Sequence, residues 1–243
     1  DVSKLNLDYA PENNPYNNEL TSYEASDYAK FFGRDKVIEI SIDKLKLQRV
    51  LVVAGVSGAG KSSVIRAGIL PNVARRLDGE PIGPEEKLRP LNLVENSLIF
   101  RPSQDIKELV GKIKVLNDSN CSSLLVIDQF EELISQPGSD STKIEQLLTL
   151  LHDWINHPIQ NYLIISVRSD YELAIVEVLN KLDSKLSFTN GISQLWHQSI
   201  YRIPWFSKEE LREIVVEPFF RIAYLYKERE LVDRIIDEVR QSP

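Results

Sequence analysis

The alternation of apolar and polar positions divides the chain into short buried runs separated by helical stretches. Residues 50–54 (Val-Leu-Val-Val-Ala), 123–128 (Ser-Leu-Leu-Val-Ile-Asp) and 161–168 (Asn-Tyr-Leu-Ile-Ile-Ser-Val-Arg) are nearly continuous apolar runs. A strand with one wet face would alternate, so these read as strands covered on both faces, as in a parallel sheet. Residues 97–100 and 198–203 are weaker strand candidates. Helical spacing predicts a helix in which Val37, Ile38, Ile40, Ile42, Leu45 and Leu47 are the apolar positions. Others are expected over 63–70, 105–116 with Ser103 as cap, 130–134, 143–155, 170–186, from Ser207 to about 225, and 229–240. A short helix capped by Thr21 or Ser22 is expected through Lys30. Pro71 weakens the helical signal, 78–90 reads as a Gly/Pro-rich loop, and 117–120 as a turn. Buried strands alternating with helices predict an α/β fold with a doubly wound, mostly parallel sheet flanked by helices.

The first strand runs directly into Gly55-Val56-Ser57-Gly58-Ala59-Gly60-Lys61-Ser62, which spells G-x-x-x-x-G-K-S, and Ser63 then opens a helix. Strand, glycine-rich loop and helix are the context a phosphate-binding loop needs. Gly55, Gly58 and Gly60 permit backbone angles closed to other residues, so successive N–H groups can turn inward around phosphate oxygens. The helix N-terminus adds partial positive charge. Lys61 is placed to reach the β- and γ-phosphates, and the Ser62 hydroxyl to ligate Mg²⁺.

Two further strand ends carry charge. Asp128 closes the second buried run, where an acid can hold the Mg²⁺ of a bound nucleotide or, more plainly, cap the next helix. Glu131 and Glu132 follow within a turn. One of them is a candidate to orient or deprotonate an attacking water; both also suit the first turn of a helix for dipole reasons alone. Arg168 ends the third run and can stabilise charge on a γ-phosphate, or form a salt bridge to Asp170 or Glu172. Ligands in such sheets sit beyond the carboxyl ends of the strands, where all these groups fall.

Composition narrows the partners. The 243 residues carry a formal net charge of −7, and no Lys/Arg cluster is denser than Arg75-Arg76. Nucleic acid is therefore not the expected partner. No run approaches the roughly eighteen apolar residues of a membrane span, so no membrane partner is expected. The single cysteine, Cys121, precedes a buried strand and reads as an inert thiol, which suits a cytoplasmic setting. His152, His157 and His197 lack metal-ligand spacing. Trp154, Trp196 and Trp205 read as core or interface aromatics. The chain starts at Asp1 and contains no Met, so a fragment of something larger is expected.

Several strings go beyond the generic loop. These are Asn14-Pro-Tyr, Phe31-Phe-Gly-Arg34, Arg66-Ala-Gly-Ile-Leu-Pro71, Phe100-Arg-Pro102, Leu125-Val-Ile-Asp-Gln-Phe-Glu-Glu-Leu133, Val167-Arg-Ser-Asp170, and Leu211-Arg-Glu-Ile with Glu217-Pro218. Together they resemble the novel STAND NTPases, prokaryotic P-loop signal-transduction ATPases with numerous domains. The resemblance implies that Phe32, Gly33 and Arg34 lie beside the adenine of ATP or ADP. It implies Mg²⁺ held by Ser62 and Asp128, a catalytic-water role for Glu131 or Glu132, and a sensor role for Arg168. The phosphate loop itself would run through Ser63. Gln129 stands where many P-loop ATPases carry the catalytic glutamate, so the base assignment stays open between the two acids. The implied organisation is a linker-like segment at 1–20, a nucleotide-binding domain at 21–204, and the truncated beginning of a helical lid at 205–243. The implied function is a slowly hydrolysing switch coupling sensor and effector domains, with nucleotide-dependent homo-oligomerisation as an option. A nucleic-acid-associated motor or loader of related fold is the alternative, and a nucleotide-stabilised scaffold without turnover a third.

Overall fold

The computed structural model describes residues 21–76, 97–118, 122–135, 141–158, 161–186, 191–221 and 229–241. The expectations for 1–20, 78–90 and Cys121 lie outside these residues. Five described strands form one sheet in the order β2-β3-β4-β1-β5: β1 (Val50–Gly55), β2 (Ser97–Phe100), β3 (Leu124–Ile127), β4 (Tyr162–Arg168) and β5 (Ile200–Arg202). Every pairing is parallel, with Ala54 opposite Val167 and Ile127 opposite Ile165 in register.

The unbroken apolar runs are explained by helices on both faces. Val50, Val52 and Ala54 join Leu125, Ile127, Leu163, Ile165 and Val167 in one core, covered by α4 (Ile106–Asp118), α6 (Ser141–Ile155), α7 (Glu172–Leu186) and α8 (Ile192–Ser199). Leu51 and Val53, pointing the other way, pack with Val126 and Ile164 under α1 (Asp35–Gln48) and the helix that follows the glycine loop. That alternation is the strand period of two with both faces dry. α1 buries Val37, Ile38, Ser41, Ile42 and Leu45, whereas Ile40 and Leu47 fall on its wet face.

The helix after the loop is continuous but uneven. α2 (Lys61–Ser63) passes through a π-helical turn, Val64–Ile69, into α3 (Leu70–Arg76), so the chain stays helical through Pro71. Leu70 donates its N–H to Ile65, a five-residue span, and the Asn72 side chain donates to the Gly68 carbonyl at 2.8 Å. A widened turn and a side-chain donor thus accommodate the proline, which has no N–H to give. A Cβ on Gly68 would stand 2.7 Å from Ile38, which is how closely α1 approaches this turn.

Other boundaries shift for local reasons. α4 begins after Asp105, whose carboxylate accepts the Lys107 N–H, and not at a Ser103 cap. The short element near the start is a 3-10 helix, Ala25–Lys30, capped by Glu24 and Asp27 and not by Thr21 or Ser22. α5 (Glu132–Ser135) is a single turn. α8 has no counterpart among the predicted helices; its first N–H groups, on Ile192 and Ser193, are held by Asp183 of α7. α9 (Lys208–Arg221) starts at the expected Ser207, which forms a reciprocal capping box with Glu210. It pairs with α10 (Arg229–Gln241) around a separate small cluster of Leu211, Val232 and Ile236. No described helix is long and apolar enough to cross a membrane.

Candidate functional site

Beyond Gly55, at the carboxyl end of β1, the chain makes a tight loop before α2. Gly58 and Gly60 hold φ of 78° and 81°, and at neither would a Cβ meet any atom, so conformation and not space calls for glycine there. The loop is stitched by Ala59 N–H to the Val56 carbonyl and Val64 N–H to the Gly60 carbonyl. Val56, Ser57 and Gly58 form its exposed rim. Lys61 is buried, and its ammonium donates to the carbonyls of Gly55 at 3.0 Å and Val56 at 2.8 Å. Burial pulls Lys61 below the ordinary lysine range; the charges of Glu131 and Asp128 oppose that, while Arg168 adds to it.

Asp128 follows β3 and is 1% exposed. Its Oδ1 accepts from the hydroxyls of Ser62 (2.9 Å) and Ser166 (2.7 Å), and its Oδ2 from the guanidinium groups of Arg66 (3.3 Å) and Arg101 (3.4 Å). Burial alone would raise its pKa, but the two hydroxyls and two arginines outweigh that and hold it below the usual carboxylate range. Asp128 is therefore an anion, fixed by four donors. Among the described residues no group of three or more His, Cys, Asp or Glu is placed to hold a metal ion by itself. An anionic carboxylate beside a serine hydroxyl is still the donor set Mg²⁺ takes when phosphate oxygens supply the rest, so Ser62 and Asp128 fit that ion.

The two glutamates part company. Gln129 has φ of 61°, and its N–H donates to Ser166 Oγ at 2.8 Å. Phe130 donates its N–H to the Ser166 carbonyl and buries its ring against Trp196. This left-handed turn swings the chain back toward β4, and Glu131, 6% exposed, accepts the Arg168 N–H at 3.2 Å. Glu132 points to the other side, where its carboxylate accepts the Ser103 N–H at 3.0 Å. Only Glu131 also acts electrostatically on Lys61. A non-glycine residue held in the left-handed region is the kind of strain that gathers at functional sites.

Arg168 takes the plainer of its two options in this structure: its guanidinium grips Asp170 in a two-point ion pair, at 3.1 and 2.6 Å, over the ring of Tyr171. Glu172 instead pairs with Arg202. Arg34 is 2% exposed and bridges two elements, donating to Ala59 of the loop (3.4 Å) and to Pro204 after β5 (3.0 Å) while stacking on Phe206. Gly33 lies against α9, where a Cβ would meet Glu210 and Ile214 at 2.7 Å. Phe32 and Gly33 line a cavity of about 680 Å³ under α9, and Arg34 a smaller one of about 210 Å³ beside the loop. The Ser63 hydroxyl accepts the Tyr23 N–H at 3.1 Å. Trp154 and Trp196 are core residues, but Trp205 is 73% exposed and walls the smaller cavity.

The chain matches the family model described as Novel STAND NTPase 1 over residues 15–243. The chain belongs to that family. The novel STAND NTPases are P-loop enzymes that hydrolyse nucleoside triphosphates, and the parallel sheet with its loop at the end of β1 is their fold class. No curated protein matches. Among solved structures, the Walker-type ATPase paby2304 of Pyrococcus abyssi aligns with a TM-score of 0.50 at 15% identity, covering 89% of this chain and 65% of its own. Domain III of the Thermotoga maritima replication initiation protein DnaA aligns at 0.49 and 15%, covering 88% and 81%. The Aeropyrum pernix ORC2 protein in ADPNP-ADP complexes aligns at 0.47 and 14%, covering 86% and 55%.

Three residues to which the sequence pattern assigns no role also converge on Asp128. Arg66 and Arg101 sit inside family strings, but nothing in the strings says that both guanidinium groups converge on Asp128. Ser166 left a visible signal: it is a polar residue in an otherwise apolar strand, with 0% exposure.

Proposed function

We propose that this STAND module binds ATP and hydrolyses it slowly, its conformation set by whether ATP or ADP is bound. The carrying observation is the meeting of Lys61, Asp128 and Glu131 at the ends of three neighbouring strands, β1, β3 and β4. In this reading the loop from Gly55 to Ser63 cradles the phosphates through its N–H groups and Lys61. Ser62 and Asp128 hold Mg²⁺, which neutralises phosphate charge when bound. Glu131 orients the attacking water; Glu132, turned toward Ser103, does not. Arg168 leaves Asp170 for the γ-phosphate, and the segment from Phe32 to Arg34 borders the base. Residues 21–204 form the nucleotide-binding unit and 205–243 the start of a lid whose α9 rests on Gly33. The module works in the cytoplasm between sensor and effector domains, with a nucleotide-dependent homo-oligomer as one output.

Turnover of Mg-ATP by the full chain, with and without DNA or RNA, tests this reading. Slow hydrolysis indifferent to nucleic acid supports the switch. Strong stimulation by nucleic acid would favour the motor or loader alternative, and an absence of nucleotide binding would remove both.

A further inference from the structure

Arg66 occupies an unusual position between two acids. It sits in the π-helical turn, with 17% of its side chain exposed, and contacts Glu24 through one terminal nitrogen at 2.6 Å and Asp128 through the other at 3.3 Å. Its Nε is buried and has no hydrogen-bond partner among the described residues. Glu24 is half exposed and belongs to the capping box that starts the 3-10 helix Ala25–Lys30. The neighbouring Tyr23 N–H is tied to Ser63 of the loop helix. A single guanidinium thus links the buried acid of the nucleotide site to the first described element of the chain.

The contact to Asp128 is electrostatically opposed to a divalent cation at the same carboxylate. A 2+ ion placed between Ser62 and Asp128 would face a full positive charge a few ångströms away in a largely dry setting, where screening is weak. Arg66 has an alternative that the ion lacks, because Glu24 already holds its other nitrogen. We propose that Arg66 is a positioning residue that competes with the Mg²⁺ of the bound nucleotide for Asp128, and so couples occupancy of that site to the capping of the 3-10 helix at Ala25–Lys30. Binding the ion shifts Arg66 away from Asp128, and the rearranged guanidinium changes its hold on the Glu24 cap. The coupling is reciprocal: whatever strengthens the Arg66–Asp128 contact weakens the ion, and the reverse. Arg101 also reaches Asp128, but its side chain is 40% exposed and no described ion pair links it to a second acid. The proposal rests on the Mg-nucleotide reading above and adds the route by which that site is sensed.

Titrating Mg²⁺ into the full chain with saturating ADP tests it, reading the half-saturating Mg²⁺ concentration for tight ADP binding. Arg66→Gln is expected to lower that concentration about fivefold or more, the low end of typical coupling. Glu24→Gln, which leaves Arg66 only Asp128 as an acid partner among the described residues, is expected to raise it. The double variant should behave as Arg66→Gln. Should Arg66→Gln fold poorly, Arg66→Lys, which reaches one acid at a time, is expected to give a smaller decrease. A second readout is amide hydrogen exchange over residues 23–30 with ADP bound. It should change when Mg²⁺ is added and stay constant in Arg66→Gln. An unchanged or raised Mg²⁺ requirement in both Arg66 variants, or exchange at 23–30 that ignores Mg²⁺ in the wild type, overturns the coupling while leaving nucleotide binding intact. A wild-type chain that binds no ADP at any Mg²⁺ concentration overturns the nucleotide reading itself.

Discussion

The Ser166 hydroxyl donates to Asp128 Oδ1 at 2.7 Å from β4, the strand that separates the strand of the acid from the strand of the phosphate loop. The same oxygen accepts the Gln129 N–H, and the Ser166 carbonyl accepts that of Phe130. One buried serine therefore fixes the carboxylate and the turn that aims Glu131. Removing a hydrogen bond to a buried carboxylate costs about 1.5–3 kcal/mol. Ser166→Ala is expected to lose that much in denaturant unfolding; a loss under about 0.5 kcal/mol, the level of an ordinary surface change, would mean that Ser62 and the arginines hold Asp128 without it.

Lys61 anchors the binding prediction. Mg-ATP at one hundred times its dissociation constant should stabilise the chain by about 2.7 kcal/mol. For a chain of this size that is roughly 5–10 °C in melting temperature. Lys61→Ala removes a charge-assisted phosphate contact and should abolish most of the shift. A full shift in the variant would take the loop out of the account.

Glu131→Gln and Glu132→Gln separate the two acids. Glu131 is buried beside Lys61 and Arg168, whereas Glu132 caps the Ser103 N–H. Glu131→Gln is expected to keep ATP binding and lose turnover by 10²-fold or more, the scale of general-base loss. Glu132→Gln should stay near wild type. Normal hydrolysis by Glu131→Gln in a single-turnover assay would move the role elsewhere, with Gln129 the nearest candidate.

Asp128 sets an acid limit on stability. Its pKa in the folded chain is depressed, so the folded state binds its proton less readily than the unfolded state does. The stabilisation is therefore complete above the ordinary carboxylate pKa of about 4 and is lost as pH falls through the lower folded value. Unfolding free energy followed from pH 6 downward should fall more steeply in the wild type than in Asp128→Asn. Parallel curves would show that other carboxylates carry the acid transition.

Much of this was legible because the sheet is buried on both faces: runs such as Val-Leu-Val-Val-Ala have few other uses, and the glycine loop fixes where β1 ends. The strand order was not legible, since nothing local says that β4 lies between β1 and β3. That insertion is what brings Ser166 and the Arg168 N–H to Asp128 and Glu131. The different directions in which Glu131 and Glu132 point depend on the left-handed Gln129, a backbone angle that the side-chain pattern does not encode. α8 was missed because its start is held by Asp183, nine residues before Ile192, and not by a local cap. Of the three tryptophans read as core or interface residues, Trp154 and Trp196 are buried and Trp205 is 73% exposed beside the loop cavity; an aromatic residue in sequence carries no sign of which way its chain segment faces.

Arg34 joins the glycine loop to the segment leading into α9. It donates to Ala59 on one side and Pro204 on the other, and its guanidinium lies 3.4 Å from the centre of the Phe206 ring. A planar, forked cation can meet two carbonyls and a ring at once; an ammonium cannot. Burial lowers its pKa, opposed by the charge of Glu210, yet arginine remains charged, so its contacts must offset a desolvation cost. Arg34→Lys should therefore cost more than a surface change, about 2 kcal/mol or more from the stacking and the lost donor together. The loss should also have a direction. With the tie to Pro204 gone, amide exchange in α9 should quicken, and nucleotide affinity should fall because the loop loses its brace at Ala59. Protection of α9 that is unchanged in Arg34→Lys, at equal global stability, would mean that the Gly33 contact alone seats the helix and that Arg34 merely fills space.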